Sequence, residues 1–203
     1  MKEISRKDWG ANPPKKGYSK NIDIKGLAVH YTAMAAPNTE DEEFKQLRNI
    51  QKFHQVDRGW NDIGYSFLVG NSGNLYIGRG KGARPASQGT NDGNKHYYSV
   101  CWLGAAEDTP SEAALNTIKE LWQEIGGEIK PHSDFKATAC CGDYLRNWIK
   151  EVKSPQLSNE SKDHPINTGS IEEKLKELEK EIESLKDKMR SLEALLLKGN
   201  KPF

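Results

Sequence analysis

The chain has 203 residues, 29% of them charged and 35% hydrophobic, with a formal net charge of +1. That length fits one ordinary domain with an appendage, and hardly two full domains. Mixed charges without a long basic run argue against nucleic acid or an anionic membrane as partner, and no stretch approaches the roughly 20 apolar residues of a membrane span.

The first fourteen residues, Met1 to Pro14, carry charges but no apolar core of the kind a secretory signal needs. The expectation is therefore synthesis in the cytoplasm without a signal peptide. Residues 26–31, Gly-Leu-Ala-Val-His-Tyr, read as a short buried strand carrying His30 near its end. Thr39 with Glu42 forms a capping box that opens a helix over about 40–55, with Phe44, Leu47 and Ile50 on its apolar face. Arg58-Gly59-Trp60 breaks that helix. Ile63 to Val69, a turn through Gly70-Asn71-Ser72-Gly73, and Asn74 to Ile77 predict a β-hairpin. Residues 78–96, rich in Gly, Ala, Arg, Ser and Asn, read as a long surface loop, a kind of segment often tied to function.

Tyr97–Leu103 predicts another buried strand, with Cys101 as a small buried hydrophobe. Thr109-Pro110-Ser111-Glu112 starts a second helix with the proline in its first position. Ala114, Leu115, Ile118, Leu121, Trp122 and Ile125 form its apolar stripe, and Gly126-Gly127 ends it. A loop carrying His132 to Cys141 leads into a last helix, about 143–152, with Leu145, Trp148 and Ile149 facing inward. Strands alternating with helices, plus one hairpin, indicate an α/β domain with a mixed β-sheet flanked by helices over residues 1–152.

Residues 153–169 are nearly devoid of apolar side chains and hold two prolines, so they read as a polar linker. Beyond it, Ile171, Leu175, Leu178, Ile182, Leu185, Met189, Leu192 and Leu196 alternate in steps of four and three. This is an a/d seam, too narrow for a helix folded onto a domain, and it predicts a coiled-coil helix over 170–198. In a parallel partner the flanking pairs Lys174–Glu179, Glu181–Lys186 and Lys188–Glu193 all attract, so the expectation is a parallel homo-oligomer.

Of the five histidines, His96 and His164 read as solvated and His54 as a hydrogen-bonded structural residue. His30 closes a buried strand, and His132 precedes Cys140 by eight residues in a loop before a helix. Imidazole nitrogen and thiolate sulfur are preferred zinc ligands, and three of them with one open position make a catalytic site. Spacing alone does not separate that reading from incidental placement.

Several motifs in one order narrow the choice. They run from Ile4-Ser-Arg-Lys-Asp-Trp9 through Val29-His-Tyr-Thr-Ala33, Arg58-Gly-Trp-Asn-Asp-Ile-Gly-Tyr65, Ser66-Phe-Leu-Val69 and Ile77-Gly-Arg-Gly80 to His132, Thr138-Ala-Cys140 and Gly142-Asp143. Over about residues 4–150 the chain resembles the zinc-dependent N-acetylmuramoyl-L-alanine amidases of the peptidoglycan recognition protein and phage lysozyme type. The resemblance implies that fold, with His30, His132 and Cys140 as ligands to Zn2+. It implies Tyr65 beside the metal and its water, and Thr138 as a helper in holding the oxyanion. It further implies bacterial peptidoglycan as substrate, cut between the muramic acid lactyl group and L-alanine. The picture is a phage or prophage endolysin that reaches the cell wall after holin-type release, the alternative being a non-catalytic recognition module. The family usually has proline where this chain has Cys141, which leaves Cys141 as a rival ligand although the eight-residue spacing from His132 favours Cys140, and a histidine common in the family is absent from Pro85-Ala-Ser-Gln88.

Overall fold

The computed structural model describes residues 1–154 and, farther on, residues 180, 182–184, 186, 188 and 190. The chain divides into two units, Met1–Pro155 and Gln156–Phe203.

The first unit is built on a six-stranded mixed sheet in the order β1-β4-β3-β5-β2-β6. Its strands are β1 (Lys2–Ile4), β2 (Gly26–Tyr31), β3 (Phe67–Val69), β4 (Asn74–Ile77), β5 (Tyr97–Trp102) and β6 (Glu128–Pro131). β3, β5, β2 and β6 run parallel to one another, β4 returns antiparallel from β3, and β1 lies parallel to β4. The helices are α1 (Glu40–Lys52), α2 (Asn91–His96), α3 (Glu112–Ile125) and α4 (Gly142–Lys153).

Side chains alternate across a strand, so the sheet has two faces with two destinations. Leu27, Val29, Phe67, Val69, Val100, Trp102 and Ile129 pack with α3 (Ala114, Ile118, Leu121) and α4 (Leu145, Ile149). Leu68, Tyr76, Cys101 and Leu103 pack with α1 (Leu47, Ile50), Trp9 and Ile63. The result is three layers, the expected mixed sheet flanked by helices.

The boundaries differ from the sequence-based expectation in ways with physical causes. The hairpin strand starts only at Phe67; from Ile63 to Ser66 the backbone bonds to side chains instead of a strand partner, Ile63 N–H to Asp62, Ile63 O to Arg79, Gly64 N–H to His54 and Ser66 N–H to Ser99. α1 runs on into a π-helical turn over Phe53–Asp57. The loop 78–96 contains α2, capped by the Thr90 hydroxyl on the Gly93 N–H. Pro110 lies outside α3, whose N-cap is Ser111 with its hydroxyl on the Ala114 N–H. In α3, Thr117 is buried and donates its hydroxyl to Gly73 O at 2.6 Å, while Leu115, Trp122 and Ile125 are only partly covered. The edge strands β1 and β6 were not expected from the sequence.

No helix among the described residues is long and apolar enough to cross a membrane. In the second unit, residues 180, 182–184, 186, 188 and 190 are helical, Ile182 is half exposed, and Glu183 pairs with Lys186 (3.1 Å) and Arg190 (3.4 Å). Of the expected linker, Lys153 belongs to α4 and Ser154 caps it; residues 155–169, His164 among them, and the rest of the heptad seam lie outside the described residues.

Candidate metal centre and its groove

Parallel register brings the two predicted ligand histidines together. Val29 on β2 pairs with Pro131 on β6, so the next residue on β2 and the one that follows β6, His30 and His132, stand side by side at the C-terminal edge. His30 also pairs with Cys101, which in turn pairs with Leu68. His30 thus points to the α1 side of the sheet. The His30 and His132 ring centroids are 4.4 Å apart.

Cys140 reaches the same point from the loop before α4. Its Sγ lies 3.8 Å from His30 Nδ1 and accepts the Tyr31 N–H at 3.4 Å. One donor atom from each of His30, His132 and Cys140 falls within 4.8 Å of the others. Nitrogen and sulfur on one tetrahedral zinc, bound at about 2.0 and 2.3 Å, are about 3.5 Å apart, close to the separation seen. Nε2 of His30 and Nε2 of His132 are both buried with no hydrogen-bond partner. In His30 the nitrogen that faces Cys140 Sγ is Nδ1, the other ring atom.

The electrostatics fit as well. Burial holds the His30 pKa well below its ordinary value, with His132 adding to the effect. Burial also lowers His132, against a backbone hydrogen bond with Gln88. Both rings are therefore neutral near pH 7, as ligands must be. Burial pushes the Cys140 thiol up to about 11, while the Tyr31 N–H and Arg146 act in the other direction. Cys141 is not part of this cluster among the described residues: its side chain is buried in the core with Leu145 and Ile149, and burial pushes its thiol to about 12.

The two other expected residues flank the trio differently. The Tyr65 ring centroid is 5.4 Å from His30. Burial first, then Cys101 and Cys140, raise its pKa well above the ordinary value, so the phenol keeps its proton. Thr138 accepts the Cys140 N–H at 3.2 Å, which leaves its hydroxyl hydrogen free to donate.

Several contributors carry no motif of their own. His54 stacks on Trp60 at 4.7 Å and accepts the Gly64 N–H on Nδ1 at 3.1 Å, the hydrogen-bonded role expected of it. A side chain on Gly64 would put a Cβ 2.8 Å from the Trp60 ring, so glycine is required there. Buried Asp62 receives Arg6 (2.9 Å), Gln51 (2.6 Å), the Ile63 N–H (2.7 Å) and the Tyr18 hydroxyl. His96, expected to be solvated, instead has Nδ1 2.9 Å from Ile22 O and tethers the 22–23 segment. A cavity of about 500 Å³ opens beside Tyr65, lined by Thr32, Ile50, Phe53, His54 and Arg58. A second, of about 260 Å³, presents Lys16, Arg79 and Arg84 with no carboxylate in its lining.

Known proteins share this architecture. Residues 20–143 match the N-acetylmuramoyl-L-alanine amidase family. The mouse protein named N-acetylmuramoyl-L-alanine amidase is 34% identical over 159 residues, 70% of this chain but 29% of its own length. Peptidoglycan-recognition protein SC2 of Drosophila melanogaster is 31% identical over 155 residues, 72% of this chain and 84% of its own. The structure of Drosophila PGRP-LB superposes with a TM-score of 0.70 at 27% identity, covering 79% of this chain and 99% of that one. Peptidoglycan recognition protein-LE, solved in complex with tracheal cytotoxin, a monomeric diaminopimelic acid-type peptidoglycan, gives 0.68 at 28% identity, covering 73% and 92%.

Proposed function

The chain belongs to the N-acetylmuramoyl-L-alanine amidase family, and on that premise we propose that it is a zinc-dependent peptidoglycan hydrolase. In this reading it cuts the amide between the N-acetylmuramoyl lactyl group and L-alanine of the stem peptide. The observation that carries it is the convergence of His30, His132 and Cys140 with two buried imidazole nitrogens left without partners. Zinc held by these three would activate water near neutral pH and polarise the scissile carbonyl.

The chain's own residues supply the rest. Tyr65, protonated by burial, is a hydrogen-bond donor and orients the attacking water or the substrate carbonyl. Thr138 has a hydroxyl hydrogen to offer a developing oxyanion. The cavity beside Tyr65 offers room for a part of the substrate next to the proposed metal, and the cationic cavity lined by Lys16, Arg79 and Arg84 suits carboxylates of the stem peptide.

The second reading, a recognition module that binds without cutting, draws on the relatives named peptidoglycan-recognition proteins. Cys140 within reach of both histidines favours catalysis. At the level of the whole chain, this reading makes it a phage or prophage endolysin that acts on the wall after holin-type release, and the heptad segment supports a parallel homo-oligomer. The test is appearance of L-alanine N-termini from purified peptidoglycan. Activity that is lost to a chelator and restored by zinc is expected. Saturable binding without any new N-termini would instead establish the recognition module.

A further inference from the structure

The segment that delivers Cys140 is short and its helix start is poorly capped. Cys141, the N-cap of α4, makes no side-chain cap hydrogen bond. What holds the segment in place is Arg146, the fifth residue of α4. Side chains on a helix lean toward its N-terminus, and Arg146 reaches back so that Nη1 donates to Ala139 O at 2.7 Å. Nη2 donates to Asp143 Oδ1 at 2.6 Å. The Ala139 carbonyl also accepts the Gly142 N–H at 2.9 Å. The residues on both sides of the cysteine pair are thereby fixed to one planar group. From the other side, Thr138 Oγ1 receives the Cys140 N–H.

A cation near a helix N-terminus is unfavourable to the helix itself, since the dipole there favours negative charge. Asp143 answers that preference and Arg146 does not. The position of Arg146 is better explained by what lies beyond the helix end. We propose, on the reading that His30, His132 and Cys140 hold zinc, that Arg146 is a positioning residue for the metal centre: its two-pronged clamp on Ala139 O and Asp143 fixes the loop that aims Cys140 Sγ at the ion. It touches neither the ion nor the substrate. Outer-shell groups of this kind tune metal affinity by orienting the ligands.

The test is zinc affinity by chelator competition on the full chain, with cobalt(II) substitution to report the thiolate-to-metal absorption band. Unfolding of the metal-free protein is measured alongside. Arg146→Met is expected to weaken zinc binding by roughly 10- to 100-fold, to shift the cobalt band, and to leave the metal-free urea midpoint nearly unchanged. Arg146→Lys keeps the charge but loses the fork, so it recovers only part of the affinity. Asp143→Asn, which weakens one prong, falls between Arg146→Lys and wild type. Unchanged zinc affinity in Arg146→Met, in a wild type that binds zinc and a His30→Ala variant that does not, would overturn the inference and leave the metal centre standing. So would a loss of affinity matched by an equal loss of metal-free stability. A wild type that binds no zinc removes the metal centre and this inference together.

Discussion

Two buried imidazole nitrogens without partners cost about 1–3 kcal/mol each relative to a satisfied state, and both belong to the cluster of His30, His132 and Cys140. A metal ion bound through either atom would remove the cost at that atom. The same burial keeps Tyr65 protonated, so in the proposed mechanism it would serve as a donor and not as a general base. Tyr65→Phe should therefore lower kcat by roughly 10²- to 10³-fold with zinc content and KM little changed, as steady-state hydrolysis of a muramoyl peptide would show. His54 gives a separate prediction. Burial first, then Arg58 and Arg79, lowers its pKa from 6.5 to about 4. The unfolded chain therefore binds the extra proton between those values. Stability is fully present above pH 6.5 and falls by about 2–3 kcal/mol as pH drops toward 4. Urea midpoints of the zinc-free protein across that range should show this decline, and His54→Gln should flatten it.

At the scale of elements, the Asp62 network joins parts remote in sequence: Arg6 and Tyr18 from the N-terminal segment, Gln51 from α1, and the loop before β3. Removing the acid leaves Arg6 without its buried counter-charge, so Asp62→Ala should destabilise the domain by about 3 kcal/mol or more in urea unfolding. Asp62 stood within a recognised motif, but nothing in its spacing told of these partners. The elements that could be read in advance had strong local signals. β2 is a run of apolar residues, α1 has its Thr39–Glu42 box, and α3 repeats its apolar stripe before Gly126-Gly127. β1 and β6 escaped because each is a short edge strand burying a single apolar residue, Ile4 or Ile129. α2, with the sequence Asn-Asp-Gly-Asn-Lys-His, has weak helix propensity and depends on its Thr90 cap and its surroundings. The candidate site divides in the same way. His30, His132, Cys140, Tyr65 and Thr138 sit in motifs, whereas Gln88 and Tyr31 act through backbone groups and Arg146 through a loop carbonyl. Backbone contacts of that sort leave no residue pattern to find.

For the whole molecule, the heptad seam over 170–198 proposes that several catalytic domains are delivered together. A chain ending at residue 155 should sediment as a monomer where the full chain forms an oligomer. It should retain full activity on a soluble muramoyl peptide but clear intact walls more slowly, because tethered copies raise the effective concentration on a repetitive polymer. Equal wall clearance by the two forms would show that the helix has another purpose. Whatever the tail does, the proposed chemistry rests on one cluster of three side chains, His30, His132 and Cys140. The most direct measurement of it is zinc stoichiometry of purified wild type, Cys140→Ser and Cys141→Ser, with release of L-alanine N-termini from peptidoglycan followed in parallel. One zinc per chain and hydrolysis in wild type and Cys141→Ser, with both lost in Cys140→Ser, is the predicted result. Full zinc and activity in Cys140→Ser, with loss in Cys141→Ser, would contradict it.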